Sequence, residues 1–170
     1  TGSMSDRGNR SDSIIVVSIN NSTKEVKLLS IYRDTFLSIN GKYSKINAAY
    51  SWGGPELAIS TINRNLDLNI EKYATVNFKI LANIVDAVGG IEVKVDKSII
   101  KNLNSYIKDM NRINGGNSST IKSAGTYTLD GNQAVAYSRI RYTAGGDLAR
   151  AGRQREVLQK ILDTAKKNPL

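Results

Sequence analysis

The 170-residue chain contains no histidine and no cysteine. Without them there is no Ser-His or Cys-His nucleophile pair and no His/Cys metal cage. Any bound metal must sit on oxygen ligands, which favours a hard cation such as Mg²⁺, held by one or two carboxylates together with substrate phosphates. Missing cysteines fit a reducing cytosol and many bacterial exteriors alike, so they fix no compartment. Long apolar runs are also lacking. None approaches the ~20 residues of a membrane span and no signal peptide is present, so the chain as it stands is expected to be soluble, with an anchor upstream left open.

What is present is a normal apolar content of 40%, enough for one domain with a sizeable core. The formal net charge of +9 and the pI near 9.8 predict anionic partners: nucleic acid, anionic lipid head groups or phosphate-bearing substrates. Five of the ten arginines lie in Ser138–Arg155, SRIRYTAGGDLARAGRQR, alongside no lysine and a single acid, Asp147. The fourteen lysines are scattered, as on a solvated surface. Clustered arginine without lysine points to planar, multi-donor recognition of phosphate or carboxylate.

Along the chain, IIVVSI (Ile14–Ile19), the turn residues NNSTK and then EVKLLSI predict a β-hairpin, which YRDTF leaves. KINAAYSWGGPELAISTINRNL has a Gly-Gly break followed by a helix with Pro55 in its first turn. YATVNF (Tyr73–Phe78) is strand-like, KILANIVDAV is helical, GG ends it, and IEVKV (Ile91–Val95) alternates as a half-buried strand. This order predicts an α/β fold, a mixed central β-sheet flanked by helices in a single domain. Residues 97–125 are polar and rich in Asn, Ser and Gly, and are expected to form a long exposed loop or lid. LDGNQAVAYSRIR predicts a short helix, RIR taken as a strand would put Arg139 and Arg141 on one face, and a last helix starts at Asp147.

In that last helix Val157, Leu158, Ile161, Leu162 and Ala165 fall on one arc that should face the core. The same arc includes Arg150 and Gln154. An inward arginine requires an acid, carbonyls or a bound anion, since an isolated buried charge is costly. The internal alternative is pairing with Asp34 or Asp147. The anion alternative is favoured by the helix start, with its free N–H groups and positive dipole end, preceded by a flexible GG. Asp147 is a candidate N-cap.

These segments, taken together, resemble the LytR-CpsA-Psr family, the cell-wall glycopolymer ligases of Gram-positive bacteria. The matching pieces are RSDSIIVVSIN (Arg10–Asn20), SIYRDT (Ser30–Thr35), KINAAY (Lys45–Tyr50) and the GG after it, IVDAVGGIEVKV (Ile84–Val95), LDGNQAVAYSRIR (Leu129–Arg141) and GDLARAGRQR (Gly146–Arg155), in the family's order. The resemblance implies one extracytoplasmic catalytic domain over 1–170, lacking the family's N-terminal membrane helix and first core strand. It implies a polyprenyl tail in an apolar groove and a pyrophosphate head gripped by arginines and Mg²⁺. The implied reaction transfers a phospho-glycopolymer, such as wall teichoic acid or capsule, to a peptidoglycan hydroxyl, with a pyrophosphatase side activity.

Carried over residue by residue, Arg33, Arg139, Arg141, Arg150 and Gln154 match the pyrophosphate-binding positions. Lys45 and Arg153 match basic positions near the head group, and Asp12 matches one metal ligand. Tyr32 stands where the family usually has proline. The family's first metal ligand is an Asp in a Gly-x-Asp-x-Arg pattern, but TGSMSDR has Met4 there. Either Asp6 takes the role, or Thr1–Met4 is not native sequence, or metal binds poorly. By position, Asp147 is the candidate base for the acceptor hydroxyl. Two other readings of the charge stay open: a nucleic-acid-binding domain, disfavoured because no aromatic stacking motif interleaves the arginines, and a non-catalytic polyprenyl-phosphate binder or regulator.

Overall fold

The computed structural model describes residues 13–141 and 145–167. Contacts divide the chain into two compact units, Thr1–Thr75 and Val76–Leu170.

In the first unit, β1 (Ile14–Ile19) pairs antiparallel with β2 (Val26–Ile31). Asn20 closes the turn between them, its side-chain oxygen accepting from the Ser22 and Thr23 amides. A second hairpin follows, β3 (Phe36–Ile39) with β4 (Lys42–Lys45). Its two loop residues, Asn40 and Gly41, have φ of 50° and 83°, the type I′ geometry that suits the right-handed twist of the strands. Helix α1 spans Ile46–Leu66 with a kink at Gly53–Gly54, where Gly54 takes φ 64°, ψ −160°, a conformation open in practice to glycine alone. The predicted helix after the Gly-Gly break is its second limb. INAAYSW before the break is helical as well. Ile31, Leu37, Ile39, Ile46, Ala49 and Ile62 form this unit's core.

In the second unit, Asn77 caps α2 (Phe78–Ala87) by accepting from the Ile80 amide, and Gly89–Gly90 end it as expected. Tyr73–Asn77 form no strand and Phe78 is the first residue of α2, which corrects the strand expectation for YATVNF. β5 (Ile91–Val95) pairs antiparallel with β6 (Gly125–Leu129). Between them residues 97–125 are not one long loop: a 3-10 turn, Lys97–Ile99, leads into α3 (Ile100–Asn114), whose Leu103, Ile107 and Met110 are fully buried, and the loop is confined to residues 115–124. Helix α4 (Gly131–Arg139) is capped by a reciprocal box, Asp130 accepting from the Gln133 amide and Gln133 from the Asp130 amide. Residues 131–138 are all buried, so α4 runs through the core. Helix α5 (Gly146–Lys167) buries Ala151, Val157 and Ile161; of the arc expected from its periodicity, Leu158, Leu162 and Ala165 are only half-buried.

The α/β class is as expected. Among the described residues the strands pair as three two-stranded antiparallel sheets; α1 packs on the second hairpin, α4 and α5 on the β5–β6 pair, and α2 and α3 on α4.

Candidate functional site

Arg139, Arg141, Arg150 and Arg153 of the second unit lie where α4 ends and α5 begins. Arg139 is the last residue of α4, so RIR is not a strand. The buried helix delivers this guanidinium from the core to a half-buried position, at the end of the helix dipole that favours a cation. Arg141 follows outside the helix, its Nε donating to Asp147 Oδ1 at 3.1 Å. Arg150 Nη2 lies 3.2 Å from the same oxygen, with its side chain 18% exposed. Asp147 lies in the first turn of α5, one residue after the helix starts.

One carboxylate oxygen therefore serves two guanidinium groups. The Arg141 and Asp147 side chains are 42% and 51% exposed, and ion pairs this solvated contribute only about 0–1 kcal/mol. An incoming group with two negative charges could replace Asp147 at little cost to the fold.

Arg139 stands differently. Its guanidinium carbon lies 4.6 Å from the Phe78 ring centroid and 5.2 Å from that of Tyr106, and Nη1 is 3.6 Å from Met110 Sδ. Arg153, expected near the head group, donates to the Ile140 carbonyl at 3.1 Å and lies over the Tyr137 ring, bracing α5 against the end of α4. The same two helices are joined by Tyr137, whose hydroxyl donates to Glu156 Oε2 at 2.8 Å; burial and this partner push its pKa upward. Gln154 is half-buried, one turn beyond Arg150 on α5.

The first unit holds a separate basic group. Arg33 sits in the turn between β2 and β3, and its carbonyl and that of Thr35 accept from the first amides of α1, at Asn47 and Ile46. Asp34 Oδ1 lies 2.8 Å from Lys45 Nζ, and Asp34 Oδ2 lies 3.5 Å from Arg33 Nε. The Lys45 ammonium, with Arg33 adding to it, holds the Asp34 carboxyl below its ordinary value of 3.8. A lowered folded-state pKa contributes stability in full above the unfolded value and loses it as pH falls through the lowered one. Lys45→Met is therefore expected to raise the Asp34 pKa toward 3.8 in a carboxyl NMR titration and to weaken the acid dependence of stability. An unchanged titration would remove this pair from the account.

Asp6 and Asp12 lie outside the described residues. Among the described residues no group of three or more acidic side chains stands together to hold a metal. A cleft of about 370 Å³ in the second unit, lined by Lys79, Asp86, Asn117, Asp130 and Asn132 among others, lies at the opposite end of α4 from the arginines and contains none of the predicted site residues.

Sequence reasoning missed Phe78, Tyr106 and Met110. Phe78 falls in the strand expected for YATVNF, and the other two in the loop expected over 97–125. The usable signal was the spacing of Leu103, Tyr106, Ile107 and Met110, a helical stripe diluted by asparagine and serine.

Comparison with known proteins bears on the family. The TagU teichoic acid transferase of Enterococcus faecalis (polyisoprenyl-teichoic acid–peptidoglycan teichoic acid transferase) is 40% identical over 156 residues, covering 90% of this chain and 46% of the relative. Biofilm regulatory protein A of Streptococcus mutans is 35% identical over 161 residues, covering 89% and 38%. Among solved structures, the LytR-CPS2A-psr family protein YwtF (TagT) with bound octaprenyl pyrophosphate lipid superposes with a TM-score of 0.72 at 33% identity, covering 92% of this chain and 60% of that one. The chain thus spans less than half the length of the two curated relatives. A family model matches residues 2–169, nearly the whole chain, and with the relatives it places the protein in the LytR_cpsA_psr family.

Proposed function

We propose that the chain forms the head-group site of a phosphotransferase that moves a phospho-glycopolymer, such as wall teichoic acid or capsule, from a polyprenyl-pyrophosphate carrier to peptidoglycan. The observation that carries this reading is the charge arrangement at the α4–α5 junction. There Arg141 and Arg150 share one exposed carboxylate and Arg139 has none among the described residues. The solved relative with octaprenyl pyrophosphate supports the same ligand chemistry.

The acceptor hydroxyl attacks the phosphorus bonded to the glycopolymer. The bond from that phosphorus to the bridging oxygen breaks, polyprenyl phosphate leaves, and the hydroxyl proton passes to a base. Charge in such a transfer spreads over the non-bridging oxygens, so catalysis is mainly positioning and electrostatics. Arg139, Arg141 and Arg150 bind the diphosphate, with Gln154 beside Arg150. Arg33, Lys45 and Arg153 occupy the family's remaining basic positions and are assigned to head-group binding on that ground.

An all-oxygen donor set fits a hard cation, and Asp12, with Asp6 as the second carboxylate, is assigned to Mg²⁺, which when bound would neutralise diphosphate oxygens. A pyrophosphatase side activity would use the same residues with water as acceptor. The proposed location is the outer face of the cytoplasmic membrane, through a single-pass N-terminal anchor, in a monomer. No helix among the described residues is long and apolar enough to cross a membrane.

Asp147 is the proposed base, yet its Oδ1 is already engaged by two arginines. Asp147→Asn separates these roles. Loss of the competing charge is expected to tighten pyrophosphate binding severalfold, while loss of a base lowers transfer by about two orders of magnitude or more. Transfer at the wild-type rate would remove the base assignment.

The whole reading is tested by incubating the protein with a lipid-linked glycopolymer and peptidoglycan fragments, with and without Mg²⁺, and following polyprenyl phosphate release by mass spectrometry. Transfer supports the enzyme. Polyprenyl-phosphate binding without transfer supports the binder or regulator, a reading favoured by the name of the Streptococcus mutans relative. Nucleic acid carried through purification in place of lipid would overturn both.

A further inference from the structure

Arg139 is the one arginine of the α4–α5 junction whose described contacts are two aromatic rings and a thioether, with no carboxylate. Phe78 comes from the first position of α2. Tyr106 and Met110 come from α3, four residues apart and so on one face of that helix. Both rings pack against the core that surrounds α4, which fixes them where the helix ends.

A guanidinium carries five N–H donors in one plane. A carboxylate partner occupies those donors, as Asp147 does for Arg141 and Arg150. A ring face attracts the cation through its quadrupole and accepts no conventional hydrogen bond. We propose that Phe78 and Tyr106 are positioning residues that hold Arg139 as a cation with no donor committed to a carboxylate and only Nη1 directed at the weak acceptor Met110 Sδ, ready for the diphosphate. This rests on the head-group site proposed above.

The arginines then divide the work. Arg141 and Arg150 must exchange Asp147 for phosphate, whereas Arg139 engages the anion without giving up a carboxylate. The rings supply the preorganisation, since a side chain already held in place loses less freedom when the ligand arrives.

The test is calorimetric titration of the chain with inorganic pyrophosphate. Phe78→Leu and Tyr106→Leu keep apolar volume but remove the ring, and each is expected to weaken binding about three- to tenfold. Phe78→Tyr and Tyr106→Phe keep the ring and are expected to bind as the wild type does. Arg139→Ala is the anchor. If it loses binding while both leucine variants bind normally, the clamp is overturned and the head-group site stands. If Arg139→Ala binds as well as the wild type, or if the wild type does not bind, the head-group site itself falls and the clamp with it. Melting temperatures separate packing from positioning, because a role confined to packing lowers them and leaves the affinity of the folded chain unchanged. A readout independent of any variant's folding is the Arg139 Nε–Hε order parameter in the ligand-free protein. A backbone-like value is expected, and one below about 0.6 overturns the proposal.

Discussion

Arg139→Ala is expected to lower glycopolymer transfer by about two to three orders of magnitude, the range seen when one preorganised donor to a developing oxyanion is lost. The melting temperature should stay close to that of the wild type. The guanidinium is half-buried at a helix end and makes no ion pair among the described residues, so truncation leaves no buried carboxylate without a partner. Arg150→Ala should lower transfer comparably for a different reason. Its side chain, 18% exposed, is more enclosed than that of Arg141, and its loss removes one of the two guanidinium groups at Asp147 Oδ1. Lysine in place of Arg139 should restore little, because a point charge does not reproduce the planar donor set. Near-full transfer by both alanine variants would remove the arginine site from the account.

Gly131→Ala is expected to cost about 3 kcal/mol or more, among the larger effects of a small-to-large change in a packed interior. A Cβ at this position would meet the Ala82 carbonyl oxygen at 2.3 Å, its carbon at 2.7 Å and Asp86 Oδ2 at 2.7 Å. Backbone and a carboxylate cannot move aside as the end of a flexible side chain can. The approach has a purpose: the Gly131 amide donates to Asp86 Oδ1 at 2.7 Å, tying the last turn of α2 to the first turn of α4. Thermal unfolding checks this. A chain of this size loses about 2–4 °C per kcal/mol, so the midpoint should fall by about 6–12 °C. A midpoint within 2 °C of the wild type would show that α2 and α4 separate freely. Because α4 carries Arg139 at its far end, transfer should fall in the same variant.

Much of the framework was legible. The first hairpin, α2 with its Gly-Gly stop, β5, α4 and α5 follow from local pattern, because each has a strong period or a clear terminator. Asn40–Gly41 is a strong hairpin signal that went unused, since the flanking strands have four residues each and lack the apolar alternation that draws attention to a strand. YATVNF has β-rich composition, but no partner pairs with it, and Asn77 caps a helix instead. Residues 97–125 were misread because asparagine, serine and glycine dominate them. Two of those asparagines close the segment onto itself: Asn104 exchanges two hydrogen bonds with the Ile121 backbone, and Asn111 two with the Ser118 backbone.

The sequence by itself determined the chemistry that is available. Without histidine or cysteine, any metal the chain binds must sit on oxygen, five arginines with one acid in a short stretch point to anion recognition, and the ordered motifs point to the family. Only the tertiary structure decided what each arginine does. Asp147 holds Arg141 and Arg150, the Ile140 carbonyl takes Arg153, and aromatic rings from two other helices surround Arg139. The physical reason is that charge compensation depends on distance in space. Met110 and Arg139 are 29 residues apart in the chain and 3.6 Å apart in the fold, a proximity that exists only once the apolar stripe of α3 has packed against α4.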